Sequence, residues 1–192
     1  MKTVELIGYK RETTKVAVNK LRLEGSVPCV LYGGEGENVH FSTPMILFRD
    51  LIYTPEVAFV NLDVEGTEYK CILQDAQFHP VSEIILHADF LLLDENRAVK
   101  MEIPVKFSGT SPGIQKDGKL ATKLRKIKVK ALPQDMPDSI EVSVNGLELG
   151  QSVKVSSLTA EKYEILSPKS VTIASIAIPR ALRSAQTKGD EA

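Results

Sequence analysis

The stretch "VAFVNLDVEGTEYKCILQDAQF" (57–78) decides the fold of the first half of the chain. Apolar and polar residues alternate on both sides of the "EG" dipeptide (65–66), which is the pattern of two half-buried strands. A two-residue connection that ends in glycine is typical of a tight hairpin turn. We therefore predict a β-hairpin, to which neighbouring strands must add.

Three neighbouring segments supply those strands. "TVELIGY" (3–9) alternates, and "VPCVLYGG" (27–34) has the continuous apolar character of a buried strand. The glycines of "LYGGEGEN" (31–38) connect strand to strand, which predicts a hairpin turn rather than a phosphate-binding loop. "EIILHADFLLL" (83–93) adds one more strand.

A first helix is predicted between these strands. "TTKVAVNKLRLEG" (13–25) offers Thr13 or Thr14 as the N-terminal cap and Gly25 as the stop signal. Val16, Val18 and Leu21 offer apolar surface between these two signals. The helix is therefore expected to end where the buried strand begins.

A second helix is predicted in "STPMILFRDLIY" (42–53). Thr43 is the expected cap, and Pro44 suits the first helical position. Together these elements predict a closed or nearly closed small β-barrel with short helices, formed by residues 1–93.

A charged break, "DENRA" (94–98), is the predicted linker to a second domain at residues 99–179. Turns rich in glycine and proline separate its segments, so the domain is expected to be almost wholly β. The predicted strands lie in "VKMEIPVKFSG", "RKIKVKALP", "DSIEVSVNG", "QSVKVSS" and "SVTIASIAIP". Residues 180–192 have little to bury and are predicted to be disordered.

The composition of the 192 residues, 43% hydrophobic and 26% charged, is that of a soluble globular protein. The protein is expected in the cytosol because neither a membrane span nor a signal peptide is recognised. No apolar run approaches the roughly 20 residues that a membrane span needs, and no signal peptide is recognised. Cys29 and Cys71 lie in apolar strands without metal-ligand spacing, which indicates buried reduced thiols. We expect no membrane partner, no cofactor and no small-molecule substrate.

The net charge of −1 conceals an uneven distribution. Residues 1–22 carry six basic and two acidic side chains, and residues 119–130 carry six basic and no acidic ones. In "KIKVK" (126–130), Ile127 and Val129 should face a core while the lysines project from the other face. That basic face is either a nucleic-acid contact or a solvated strand face.

"QFHPVSEIILHADF" (77–90) holds two of the three histidines beside a carboxylate. A zinc site would need three or four converging ligands, whereas only His87 and Asp89 share a strand face. His79 precedes Pro80 in a turn and points elsewhere. We predict a hydrogen-bonded surface pair and no metal site, with a hydrolase that uses His87 and Asp89 as a remaining alternative.

Basic and polar side chains of the first domain suggest recognition of RNA. Lys15, Asn19 and Arg22 share one face of the first helix, although a solvated helix face would look the same. Lys10 and Arg11 lie in the turn that feeds the helix. The strands contribute Tyr32, Gln74, Gln77, His87 and Asp89. Cations for phosphates together with groups for base edges and sugar hydroxyls are what structured RNA requires.

"LRLEGSVPCVLYGG", "QDAQFHP" and "LHADF" resemble the core motifs of the bacterial ribosomal protein twenty-five / general stress protein Ctc family. "EIPVKFSGTSPGIQKDGKL", "LRKIKVKALPQDMPDSIEVSV" and "LELGQSVKVSSL" resemble the extra β domain of its two-domain members. The resemblance covers nearly the whole chain apart from the tail, and it implies a mainly β protein with a six-stranded N-terminal barrel.

The resemblance also implies a function. Members bind 5S ribosomal RNA in the large subunit, at the minor groove of the loop E region. The positions that would contact RNA are Lys10, Arg11, Lys15, Asn19, Arg22, Tyr32, Gln74, Gln77, His87 and Asp89. Neighbouring ribosomal proteins are further expected partners, with a monomer off the ribosome.

Two positions depart from the family pattern. Asn19 stands for an arginine, so one phosphate contact is expected to be lost, and Phe78 stands where a basic residue is common. A cytosolic stress-related adaptor that acts off the ribosome through the second domain is the alternative function.

Overall fold

The computed structural model describes residues 2–34, 37–159 and 162–179, so the predicted disordered tail lies outside the described residues. The chain divides into two compact units. The first comprises Met1–Met101 and Leu132–Met136, and the second comprises Glu102–Ala131 and Pro137–Ala192.

The first unit is a closed six-stranded barrel, as predicted. Its elements are β1 (Lys2–Lys10), α1 (Lys15–Leu23), β2 (Ser26–Tyr32), β3 (Val39–Pro44), a 3₁₀ helix (Met45–Phe48), α2 (Arg49–Ile52), β4 (Ala58–Val64), β5 (Thr67–Phe78) and β6 (Ile85–Leu92). The order around the barrel is β1-β3-β2-β6-β5-β4. β1–β4 and β2–β6 pair in parallel, and the other neighbours are antiparallel.

The predicted hairpin is formed by β4 and β5, whose register runs from Val60 opposite Cys71 to Val64 opposite Thr67. The turn residues Glu65 and Gly66 have φ angles of 52° and 88°. Positive φ at both positions gives the turn the twist that matches two antiparallel strands. The "EG" signal therefore fixes the register of the hairpin.

Side chains fill the barrel interior. Phe41, Phe48 and Phe90 are fully buried, and the ring centroid of Phe90 lies 5.6 Å from that of Phe41 and 6.2 Å from that of Phe48. Cys29 and Cys71 are buried free thiols, as predicted. Burial raises the pKa of Cys71 to about 12 and that of Cys29 in the same direction, so both stay protonated at neutral pH.

The first helix is confirmed and the second starts later than predicted. Thr14 caps α1 by accepting from the Ala17 amide, and Gly25 follows it with φ of 78°. The assignment of Thr43 as a cap and Pro44 as the first helical residue is wrong, because both belong to β3. Thr43 is fully buried in the barrel wall, where its side chain caps no helix.

The second unit contains two sheets, which confirms its β character. The elements that follow the barrel are β7 (Val99–Ser108), α3 (Pro112–Gln115), β8 (Lys119–Thr122), β9 (Lys126–Ala131), a 3₁₀ helix (Pro133–Asp135), β10 (Ile140–Ser143), β11 (Ser152–Lys154), a 3₁₀ helix (Val155–Ser157), β12 (Glu164–Ile165) and β13 (Thr172–Ala177). The first three residues of β7 and the 3₁₀ helix Pro133–Asp135 belong to the first unit. The sheet orders are β10-β7-β9-β12 and β11-β13-β8. β8 and β12 were not predicted, because neither "KLAT" nor the two-residue "EI" shows the sustained alternation that marks a strand.

Among the described residues, no helix is long and apolar enough to cross a membrane.

We predict that Gly8→Ala destabilises the barrel. A Cβ at Gly8 would lie 2.7 Å from Cδ2 of the buried Phe41 ring, and overpacking of this kind costs about 1–3 kcal/mol. The measurement is the free energy of unfolding in urea.

The double variant Gly8→Ala with Phe41→Ala tests the cause, because alanine lacks both the Cγ and the Cδ2 atoms that would meet the new Cβ. Removing the ring atoms should relieve the clash, so the two changes together should cost less than the sum of the single changes. Strict additivity would show that the ring is not what excludes a side chain at position 8.

Candidate functional site

Two irregularities in the pairing of β5 with β6 organise the outer surface of the barrel. Leu73 lies opposite Phe90 and Asp75 opposite Asp89, which leaves Gln74 as an extra residue in β5. Further along, Ile85 and His87 oppose Phe78 and Gln77, which leaves Leu86 as an extra residue in β6. Such bulges re-aim the neighbouring side chains and free backbone groups from the ladder.

Five polar side chains lie on the outside of three adjacent strands. Asp75 is opposite Asp89, and Gln77 is opposite His87. On the other side of β6, Val30 pairs with Asp89, and Tyr32 lies two residues further along the same face of β2. We call this set the polar face: Tyr32, Asp75, Gln77, His87 and Asp89. Gln74 is exposed beside it, in the bulge of β5.

His87 and Asp89 form a direct pair within the polar face. The Nδ1 atom of His87 lies 2.6 Å from Oδ1 of Asp89, with side chains 25% and 31% exposed. Nδ1 donates to the carboxylate, which leaves Nε2 as the imidazole atom for a partner. The predicted hydrogen-bonded pair is thus confirmed.

His79 does not join this pair. It lies in the loop between β5 and β6, where its Nδ1 atom accepts from the amides of Val81 and Ser82. In the part of the chain that the structure describes, no three His, Cys, Asp or Glu side chains lie together as metal ligands.

The charges of the polar face affect the ionisation of Tyr32. Burial raises the pKa of Tyr32, and the negative charges of Asp89 and Asp75 raise it further, so its hydroxyl stays a hydrogen-bond donor at neutral pH. Asp75 is absent from the predicted site residues. The two-residue spacing from Gln77 could have revealed it, because residues i and i+2 of a strand share a face.

Arg22 fastens α1 to the bulge of β6. Its Nε and Nη2 atoms donate to the Leu86 carbonyl at 3.1 and 3.0 Å. α1 contains no buried residue, and its Val16 and Leu23 side chains are 80% and 89% exposed. With so little apolar burial, charged hydrogen bonds carry much of the attachment. The guanidinium of Arg22 is thus hydrogen-bonded to the backbone of the residue before His87.

Arg11 is likewise bound to the backbone. Its Nε atom donates to the Phe41 carbonyl at 3.0 Å and its Nη2 atom to the Cys29 carbonyl at 3.3 Å. Burial lowers the pKa of Arg11, and the positive charge of Arg22 acts in the same direction. Arg11 therefore joins the end of β1 to strands β2 and β3.

The remaining predicted basic residues are more accessible. The ammonium group of Lys10 lies 3.6 Å from the Glu65 carboxylate, an exposed ion pair of small energetic value. Lys15 and Asn19 are exposed on α1, one turn apart, on the side away from its packed residues. Lys15 is thus an exposed basic residue among those predicted to bind phosphates.

Lysines of β9 lie near glutamates of the neighbouring strands, which offset their positive charge. Ile127 and Val129 are fully buried, as predicted, and the lysines alternate with them. Lys128 lies 3.7 Å from Glu102 of β7, and Lys130 is directly opposite Glu164 of β12. Cross-strand pairs of opposite charge stabilise a sheet surface in water, so this arrangement favours the solvated strand face.

Comparison with known proteins agrees with both halves of the chain. A family model described as the ribosomal L25p family matches residues 6–90, and one described as ribosomal protein TL5, C-terminal domain, matches residues 98–180.

Similar proteins extend this match over nearly the whole length. The chain is 52% identical over 184 residues to large ribosomal subunit protein bL25 of Cytophaga hutchinsonii, with 95% of both chains covered. It is 48% identical over 191 residues to the protein of that name from Amoebophilus asiaticus, covering 99% and 97% of the two chains. The one from Bacteroides thetaiotaomicron is 42% identical over 191 residues, covering 96% and 97%.

We predict that Arg22→Ala loosens α1. Losing both bonds to the Leu86 carbonyl should speed amide exchange throughout α1 by about ten- to a hundredfold, because hydrogen bonds to charged groups contribute about 1.5–3 kcal/mol. Amide exchange followed by NMR measures this.

Lys20→Ala is the matched control, since Lys20 lies on the same helix and its 3.9 Å pair with Glu24 is exposed. Equal exchange in the two variants would mean that Arg22 does not hold the helix.

Proposed function

The chain belongs to the ribosomal L25p family of large-subunit proteins, and from that premise we propose that its barrel binds 5S ribosomal RNA at the loop E region. The bound RNA would contact α1 and the outer surface of β2, β6 and β5. The expected place of action is the ribosome in the cytoplasm, and the relatives are named as ribosomal proteins rather than as enzymes.

The observation that carries this proposal is the polar face beside α1. Tyr32 offers a hydroxyl donor, Gln77 an amide, and Asp89 a carboxylate, on three adjacent strands. Such groups read base edges and 2′-hydroxyls, whereas cations position the phosphate backbone. Arg22 connects the two parts because its guanidinium ties α1 to the residue next to His87.

The carboxylates of the polar face set a condition on the ligand. Asp75 and Asp89 lie opposite each other and repel phosphate groups. A carboxylate can therefore contribute only by accepting from a base amino group or a 2′-hydroxyl, while the phosphates run past α1. This requirement for particular donors at particular places makes the surface suited to one RNA structure rather than to any duplex.

The His87–Asp89 pair would act as one unit in this recognition. Because Nδ1 already donates to Asp89, the imidazole meets RNA through Nε2. The carboxylate in turn holds the ring in a single orientation, which lowers the entropy lost on binding. His87 and Asp89 would then specify the site, and the basic side chains of α1 would supply attraction.

Residues 1–93 are proposed to be sufficient for RNA binding, with residues 94–98 as a linker and residues 99–179 as a separate β domain. All the residues of the polar face and of α1 precede residue 93. The charge-compensated sheet of the second unit supports assigning it no part in 5S binding.

A titration of the full chain against 5S RNA, with transfer RNA as competitor, tests the proposal. Tight binding that transfer RNA does not displace is the expected result, and residues 1–93 alone should bind within about tenfold, or 1.4 kcal/mol. Equal affinity for both RNAs would refute specific recognition. Chain that sediments free of ribosomes at physiological salt would favour the off-ribosome adaptor.

We predict that Lys15→Ala lowers the salt dependence of 5S binding. Each phosphate contact contributes about one unit to the slope of log affinity against log salt concentration, and loss of the Lys15 contact should remove that unit. Lys126→Ala, on the second unit, is the control and should leave the slope unchanged. An unaltered slope in Lys15→Ala would place Lys15 on a merely solvated helix face.

Asp89→Ala should weaken 5S binding by about 1–3 kcal/mol, affect unrelated duplex RNA much less, and leave the salt slope nearly intact. The physical reason is the loss of a directional acceptor together with the orientation of His87. Competition binding with the two RNAs measures the effect. A variant that keeps both its melting temperature and its 5S affinity would show that the pair is ordinary surface.

A further inference from the structure

We propose that the second unit binds an extended segment of another protein as an added β-strand, in the cleft between β10 and β11. This cleft has a volume of about 670 Å³ and is lined by consecutive residues of both strands. Ile140 to Ser143 form one side and Ser152 to Lys154 the other. The proposal concerns the second unit and does not depend on RNA binding by the first.

Both strands that flank the cleft are sheet edges. Within the described part of the chain, β10 pairs with β7 and β11 pairs with β13, and each is the last strand of its sheet. The outer side of an edge strand carries peptide N–H and C=O groups that a further strand can pair with. A cleft between two such edges offers these groups on both sides.

The hydrogen bonds show which groups face outwards. The Val144 amide donates to the Ser108 carbonyl at 3.0 Å. Because backbone groups alternate in direction along a strand, Val144, Val142 and Ile140 point their N–H and C=O groups towards β7. The alternate residues Glu141 and Ser143 therefore direct their N–H and C=O groups into the cleft. On β11, the Val155 amide donates to the Val171 carbonyl on the far side, which leaves Ser152 facing the cleft.

The side chains that line the cleft favour a peptide over a nucleic acid as its ligand. Its charged side chains are one acid, Glu141, and one base, Lys154, so the cleft provides no excess positive charge for phosphates. The other lining side chains are hydroxyl groups, one amide and apolar groups. β10 spans about 13 Å, which matches four residues of an extended chain at about 3.3 Å each. Backbone pairing plus mixed side-chain contacts is the chemistry of strand addition.

Amide exchange in the full chain gives the first test. In the free chain, the amides of Glu141 and Ser143 should exchange much faster than those of Val142 and Val144, because only the latter pair with β7. In large ribosomal subunits that contain the chain, Glu141 and Ser143 should become protected. Slow exchange of Glu141 and Ser143 in the free chain, or no added protection in the subunits, would overturn the proposal.

A photocrosslinking amino acid in place of Ser152 identifies what enters the cleft. In large subunits purified through a tag on this chain, the expected product is a crosslink to an extended segment of a second ribosomal protein, identified by mass spectrometry. A crosslink to ribosomal RNA, to another copy of this chain, or to nothing would overturn the proposal.

The variant pair Glu141→Pro and Glu141→Ala separates the backbone from the side chain. Proline removes the outward N–H group but no bond to β7, and should lower the crosslink yield by about tenfold, whereas alanine keeps that N–H group and should leave the yield unchanged. Equal yields would overturn strand addition. Melting temperatures establish that both variants fold, and the exchange measurement decides the matter if the proline variant does not.

Discussion

Closure of the first sheet is the constraint on which the rest of the barrel depends. β1 supplies it by pairing in parallel with β4 over seven residues and with β3 over only two. Once the sheet is closed, every strand has one face towards a filled interior and one face outside. The buried position of Gly8 against the Phe41 ring shows how little space the closure leaves.

Because β1 and β3 pair over only two residues, the basic side chain of Arg11 has a structural role there. Arg11 follows β1 directly and donates to carbonyls of both β2 and β3, so its guanidinium supplies hydrogen bonds where strand pairing has ended. Arg22 does the same for α1 at the bulge of β6. The basic N-terminal segment is thus divided between cations that hold the backbone and cations, such as Lys15, that remain exposed for a partner.

Charged side chains are arranged differently on the surfaces of the two units. On the barrel, two carboxylates face each other and one of them orients a histidine, an arrangement that demands specific donors from a ligand. On the second unit, lysines lie near or opposite glutamates of neighbouring strands, so the charges of the sheet surface largely offset each other. These two arrangements are the basis on which we propose nucleic-acid recognition for the barrel and a peptide partner for the cleft of the second unit.

The sequence by itself determined most of the strands, where the hairpin turns and where α1 begins, because alternation, the "EG" turn and the Thr14 cap are local signals. The motifs also indicated the family, which the comparisons confirm. Only the tertiary structure decided that Thr43 is buried in a strand, that bulges occur at Gln74 and Leu86, and that Arg11 and Arg22 bind backbone carbonyls. Local patterns encode which face a residue takes. The carbonyls that Arg11 and Arg22 bind lie 18 to 64 residues away along the chain, so these hydrogen bonds are defined only when the barrel closes.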